Sequence, residues 1–338
     1  MKASIIIVNW NGKIHLFGCL NSLKSQTFRD FEIILVDNGS SDGSLDFVTE
    51  HYPLVKTVSL CDNQGFAGGN NAGLPHTSGE YIITLNNDTE ADPDWLKELV
   101  CVADENPAVG MVASRICSLD DHDLIDSLGV KVCRDGMSRG AFRLQRYSAL
   151  NLVKAEEILM PSGCAALYRR SMIDAVGFFD EDFFAYCEDT DLGLRGRRAG
   201  WKALLARDAV IYHKYSQTSG TFSPLKLYLV ERNHYWVAFK NYPLTWLLAL
   251  PVATIVRYSE QVRLVLASQG AGQEFVASSS KAACAIALIR GIIDALKKFP
   301  KIWAQRKALA SINKLDDQEF GLLLHEYKYS FRELFDAS

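Results

Sequence analysis

The sequence predicts an α/β protein, a mostly parallel sheet flanked by helices, followed by an α-helical C-terminal extension. Three observations carry this. Ser4–Val8 ("SIIIV") and Phe31–Val36 ("FEIILV") are continuous apolar, β-branched runs, the pattern of strands buried on both faces. Between them, apolar residues at positions 14, 16, 17, 20 and 23 recur at helical spacing, which makes a strand, helix, strand unit. From about residue 215 onward the alternation stops and the pattern is helical and strongly apolar. The expected division is therefore a sheet domain over 1–216 and a helical region over 217–338.

The remaining elements follow in order. "SLDFVTEHY" (44–52) reads as a helix, "KTVSL" (56–60) as a strand, "FAGGNNAGLPHT" (66–77) as a loop entering a helix, and "YIITLNND" (81–88) as a strand. "DPDWLKELVCVADENP" (92–107) is a helix with acids in its first turn, and "GMVASRI" (110–116) a strand. Residues 117–160 show no period and are read as irregular. "DLGLRGRRAGW" (191–201) is a helix closing at Gly200, with Asp189 or Thr190 as its N-cap, and "AVIYHKYS" (209–216) contains a strand ending at His213. The apolar run 244–256 is thirteen residues long and contains Pro251, too short for a spanning helix of about twenty residues, so it is read as buried or interfacial.

Composition narrows the function classes. An apolar fraction of 48% supports a packed core, and a net charge of −4 argues against a nucleic-acid binder that works by bulk electrostatics. The eight cysteines lack the pairings of a metal or disulfide framework and read as reduced thiols. The first residues, "MKASIIIVNWNG", are too weakly apolar for a signal-peptide core, so the expected location is cytoplasmic.

Four stretches carry chemistry. "VDNGSSDGS" (36–44) projects Asp37 and Asn38 from a strand end, either toward a nucleotide base or ribose or as turn and cap groups. "NQGFAGGNNAGL" (63–74) places glycines where a ligand can approach the backbone, beside the amides of Asn70 and Asn71; it is neither a dinucleotide fingerprint nor a P-loop. "LNNDTEADPDW" (85–95) delivers Asn86, Asn87 and Asp88, hard oxygen ligands suited to Mg²⁺ or Mn²⁺ on nucleotide phosphates, or else a plain strand-to-turn junction. The acidic run 180–191 contains Asp180, Asp182, Glu188, Asp189 and Asp191; an i,i+4 pair with Arg195 accounts for Asp191 but not for the others. His213, at the end of its strand, is a structural histidine or a further ligand for a divalent ion.

As an ordered set, "VNWN", "VDNGSSDGS", "GFAGGNNAGL", "LNNDT", "PSGCAALYRRSMIDAVGFFDEDFFAYCEDTDLGLRGRRAGW" and "VIYH" resemble the family 2 glycosyltransferases of the GT-A fold, over residues 3–216. The resemblance implies a nucleotide-sugar donor lying across the first strand ends. Trp10 would stack near the base, Asp37 and Asn38 would make base or ribose contacts, and Asn70, Asn71, Asn86, Asn87 and Gly163 would line the donor. It implies Asp88 as the metal ligand with His213 as helper, the ion being Mg²⁺ or Mn²⁺. It also implies the pair Glu188-Asp189 at the catalytic centre, with Asp189 as general base of a single, inverting displacement. "ERN", here Glu231-Arg232-Asn233, is similar to the rhamnosyltransferase-like branch, which implies dTDP-rhamnose ahead of UDP-hexoses and a lipid-linked or saccharide acceptor in cell-surface glycan synthesis. Arg232 would meet a phosphate, or pair with a neighbouring acid. Two other classes are weighed: a nucleotidyltransferase, poorly matched by "VNWNGKIHLFG", and an inactive GT-A scaffold, which would have no reason to keep Asp88, Asp189 and His213.

The C-terminal region carries one further signal. Ile286, Ile289, Ile293 and Leu296 form one helical stripe, followed by Lys297, Lys298, Lys301, Arg306 and Lys307 around Trp303. This is the pattern of a helix lying on an anionic membrane surface, here the inner face of the plasma membrane. The other reading is a helix that closes the domain with a solvated basic face.

Overall fold

The computed structural model describes residues 1–151, 155–214, 223–266 and 280–336. The chain forms two compact units: Met1–Val130 with Gly140–Arg197 and Trp201–Thr218, and Lys131–Arg139 with Arg198–Gly200 and Ser219–Ser338. The expected boundary at 216/217 lies outside the described residues.

The first unit follows the order β1 (Ala3–Asn9), α1 (Lys13–Lys24), β2 (Phe31–Asp37), α2 (Ser44–His51), β3 (Lys56–Ser59), α3 (Gly65–Gly73), β4 (Tyr81–Asn86), β5 (Thr89–Ala91), α4 (Trp95–Glu105), β6 (Val109–Ser118) and β7 (Ile125–Ser127). After the paired strands β8 (Val130–Val132) and β9 (Ser138–Gly140), which fall mostly in the second unit, come β10 (Ala155–Glu157), β11 (Ala165–Arg169), α5 (Arg170–Val176), α6 (Glu188–Arg198) and β12 (Lys202–His213). The main sheet runs β10-β12-β6-β11-β4-β1-β2-β3, with β5 on β12 and β7 on β6. Strands β3, β2, β1 and β4 are parallel, as are β6 and β12, while β11 is antiparallel to both of its neighbours. Ile5 and Ile7 of β1, Leu35 of β2 and Ile83 of β4 are buried with Leu16, Leu20 and Trp95 from the helices, which is why these strands read as unbroken apolar runs. The register sets Asn9 opposite Asp37 and Val8 opposite Asn86, so three polar side chains leave adjacent parallel strands at one sheet edge. That edge is where open α/β sheets bind ligands.

Three expectations are corrected. The glycine-rich stretch is helix α3 rather than a loop before one. A Cβ on Gly69 would stand 2.6 Å from Val8 Cγ1, and one on Gly73 2.8 Å from Ile6 Cγ2, so glycine lets this helix press onto β1. Residues 117–160 contain the short strands β7 to β10, each of three residues and so too short to show a period: β7 pairs with β6, β8 with β9, and β10 with the distant β12. Helix α6 begins at Glu188, which places Asp189 and Thr190 inside its first turn rather than at the cap.

The second unit is built from α7 (Pro224–Asn241), α8 (Leu244–Leu266), α9 (Lys281–Lys297), α10 (Phe299–Leu309), α11 (Asp317–Glu326) and α12 (Phe331–Asp336). Ser223 caps α7 through Lys226 N, and Asp316 with Glu319 forms a capping box on α11. Glu231 of the "ERN" run is buried and holds Arg257 of α8 at 3.0 Å, while Arg257 also binds Asp135; charges this deep persist because they are paired. The Arg232 guanidinium stacks 4.3 Å from the Trp236 ring centroid. Among the described residues no helix is long and apolar enough to cross a membrane.

Candidate active site

The acidic run of the sequence resolves into separate tasks. Asp180 caps the short 3-10 turn Glu181–Phe183 through Asp182 N, Glu181 binds the Asn71 amide at 3.0 Å, and Asp191 pairs with Arg195 at 2.8 Å inside α6. Glu188 and Asp189 open α6. Just before them Phe184, Tyr186 and Cys187 have φ of 65°, 69° and 68°, a left-handed backbone that costs a non-glycine residue roughly 1 kcal/mol each. Strain of this kind persists where packing over-determines it, and it concentrates at functional sites. Here Phe184 O accepts from Ala67 N at 3.1 Å, and a Cβ on Gly65 would stand 2.2 Å from the same oxygen, so the start of α3 clamps the strained loop.

Asp189 is held by the backbone. Its Oδ2 accepts from Gly163 N at 2.8 Å and its Oδ1 from Thr190 N at 2.7 Å. Burial raises its pKa above the ordinary aspartate range, and these two N–H groups pull only partly against it. Glu188 beside it is buried, and burial together with the Asp189 charge lifts its pKa well above the ordinary glutamate value. Thr84, on β4, donates to Gly163 O at 2.7 Å, fixing the peptide that fixes Asp189. The sequence offers no sign of Thr84, because it reads as one more residue of a buried strand.

Asp88 and His213 meet. His213 Nε2 lies 3.3 Å from Asp88 Oδ1, and both side chains are buried. The other ring nitrogen, Nδ1, lies 2.8 Å from Asp126 Oδ2. Burial opposes charge on both residues, yet His213 holds Asp88 below the usual carboxylate range, while Cys164 and Asp88 push His213 up to about 10. An anionic oxygen and an imidazole nitrogen converging in this way suit a divalent cation whose remaining positions are filled by phosphate. Among the described residues no group of three or more His, Cys, Asp and Glu side chains is placed to hold a metal ion.

The residues expected to line a donor divide. Trp10 is exposed at the end of β1, and Asp37 and Asn86 stand on the neighbouring strand ends. Asp37 Oδ1 and Asn70 Oδ1 are buried acceptors with no hydrogen-bond partner among the described residues. Asn71 Oδ1 is a third such acceptor, although its amide N–H₂ donates to Phe179 O at 2.8 Å; Asn38 binds Asn63 Oδ1, Gly65 O and Gln64 N, and Asn87 donates to Asn9 Oδ1 at 2.7 Å.

The mostly parallel sheet flanked by helices is that of the GT-A fold. The family model "Glycosyl transferase family 2" matches residues 4–177, and the chain belongs to that family. It is 27% identical over 237 residues to the N-acetylglucosaminyl-diphospho-decaprenol L-rhamnosyltransferase of Mycobacterium tuberculosis, covering 64% of this chain and 77% of that protein. It is 29% identical over 252 residues to the O-antigen biosynthesis protein RfbC of Myxococcus xanthus, covering 71% of this chain and 19% of that one. Among solved structures, S. aureus TarS superposes with a TM-score of 0.56 at 18% identity, covering 97% of this chain and 91% of that one. GalNAc-T7 with UDP, GalNAc and Mn²⁺ gives 0.60 at 17% identity, covering 73% and 49%.

Proposed function

We propose that this glycosyltransferase moves a rhamnosyl group from dTDP-rhamnose to a sugar carried on a lipid diphosphate, with inversion at the anomeric carbon and dependence on Mg²⁺ or Mn²⁺. The observation that carries the proposal is Asp189, a carboxylate held in place by Gly163 N–H whose raised pKa suits a proton acceptor. The acceptor hydroxyl oxygen forms its bond to the anomeric carbon as the bond from that carbon to the diphosphate oxygen breaks. The hydroxyl proton passes to Asp189, and the electron pair of the broken bond leaves with the nucleoside diphosphate. One displacement inverts the centre. Asp88 and His213 would hold the cation, which when bound supplies positive charge to the departing diphosphate.

The donor and acceptor classes rest on the mycobacterial relative, named for a rhamnosyl donor and a diphospho-decaprenol acceptor; the choice of cation rests on GalNAc-T7, which was crystallised with Mn²⁺. The location we propose is peripheral, on the inner face of the plasma membrane. Ile286, Ile289, Ile293 and Leu296 expose one face of α9, and Lys297, Lys301 and Lys307 are exposed beyond it. Two members of the basic cluster are held within the fold: Arg306 donates to Tyr242 O at 2.6 Å and caps α7, and Lys298 Nζ lies 5.1 Å from the Trp236 ring centroid. Leu244, Leu248, Val252 and Ile255 form a second exposed apolar stripe on α8, opposite the buried Leu250 and Arg257.

The test supplies the full chain with dTDP-rhamnose or UDP-glucose and a prenyl-diphosphate N-acetylglucosamine acceptor, and determines the product's anomeric configuration by NMR. The expected product carries rhamnose in the configuration opposite to the donor's. A retained configuration, or transfer from UDP-glucose alone, contradicts the proposal.

A further inference from the structure

Asp126 lies on β7, in the stretch without sequence period, and faces His213 across the sheet. Its two oxygens have different partners. Oδ2 lies 2.8 Å from His213 Nδ1, and Oδ1 is ion-paired by Arg143. All three side chains are largely shielded, with 14%, 8% and 15% of Asp126, His213 and Arg143 exposed. Arg143 has only donors, so it fixes which carboxylate oxygen is left for the imidazole. A neutral imidazole that gives its Nδ1–H to a carboxylate presents its Nε2 lone pair to a cation, and here Nε2 is the atom that faces Asp88.

We infer that Asp126, braced by Arg143, is a positioning residue that orients the His213 ring and fixes its tautomer, so that Nε2 is available to a divalent cation shared with Asp88. The inference rests on the proposed metal role of Asp88 and His213. Carboxylates behind a ligating histidine do this work in metal sites generally. Asp126→Asn gives the geometry a distinctive consequence. The amide oxygen must turn to Arg143, which leaves the amide N–H₂ facing Nδ1. The ring then has to accept at Nδ1 and carry its proton on Nε2, where it blocks coordination. Asp126→Ala removes the brace without imposing the wrong tautomer, and Asp126→Glu keeps the acceptor.

The experiment titrates Mn²⁺ into the full chain with dTDP present, by calorimetry, for the wild type, D126N, D126A, D126E, D88N and H213A, with dTDP affinity in EDTA and the thermal midpoint as controls. D126N is expected to weaken Mn²⁺ binding about 10- to 100-fold. D126A is expected to lose less and D126E to recover most of it, with dTDP affinity in EDTA and the midpoint nearly unchanged. Wild-type Mn²⁺ affinity in D126N alongside loss in H213A would overturn the inference and spare the metal site. D126A as damaging as D126N would overturn the tautomer account. Undiminished binding in D88N and H213A would overturn the metal-site reading and this inference with it.

Discussion

Gly163 and Asp189, twenty-six residues apart, are joined by a 2.8 Å hydrogen bond from backbone N–H to Oδ2, and the glycine's open face rests against the aspartate. A Cβ at position 163 would stand 3.2 Å from Asp189 Cβ and 3.3 Å from Phe66 Cε1. Gly163→Ala should therefore displace the base by a few tenths of an ångström and reduce kcat about 10-fold or more, since small misplacements of reacting groups are costly. Steady-state kinetics checks this, with the change expected mainly in kcat rather than in the donor KM.

Burial raises the Asp189 pKa, and a base must be deprotonated to act. Activity should therefore fall as pH drops through a value above that of an ordinary aspartate, and remain on the alkaline side. Asp189→Asn should lower kcat roughly 10²- to 10⁴-fold and leave nucleotide affinity largely intact. A kcat–pH profile of the wild type with calorimetry of the variant reads both outcomes.

Glu32 of β2 offers a stability prediction away from the site. Burial works against its charge, but Lys56 at 2.6 Å, Ser4 at 2.6 Å and Ser78 outweigh burial and hold its pKa at about 2. A depressed carboxylate contributes stability above its ordinary value of 4.5, and that contribution is lost as pH falls from there toward 2. Lys56 is exposed, so screening reduces the gain to ~1–2 kcal/mol. Denaturant unfolding of Glu32→Gln should show a loss of that size at pH 7 that disappears at pH 2.

The proposed membrane location predicts that Ile289→Asp combined with Ile293→Asp lowers binding to vesicles containing anionic lipid by about 10-fold or more, since each carboxylate would meet the acyl boundary. Raising salt should weaken wild-type binding through the lysines at 297, 301 and 307. Co-sedimentation with vesicles measures both, and undiminished binding of the double variant refutes the role of α9.

The parallel half of the sheet is legible in the sequence because Ile5–Ile7 and Ile34–Val36 are buried on both faces and must be apolar without interruption. Helix α3 is not, because glycine is a helix breaker locally, whereas Gly69 and Gly73 answer to Val8 and Ile6 on the sheet. Strand β11 escapes for a related reason: five residues wedged antiparallel between β4 and β6 owe their conformation to those neighbours. At the candidate site, Asp88 and His213 can be singled out by residue type and place, and Asp189 by the family resemblance. Asp126, Thr84 and the occupied amides of Asn38, Asn71 and Asn87 cannot, because their partners are 25 to 108 residues away and no local pattern marks such pairs.

The most direct test of the account is calorimetric titration of the full chain with dTDP and with UDP, each in Mn²⁺ and in EDTA, repeated on Asp88→Asn. The account predicts that dTDP binds in Mn²⁺, that EDTA weakens this binding strongly, and that Asp88→Asn removes the difference between the two conditions. Nucleotide binding of equal strength in Mn²⁺ and EDTA, or no binding of either nucleotide, would contradict it.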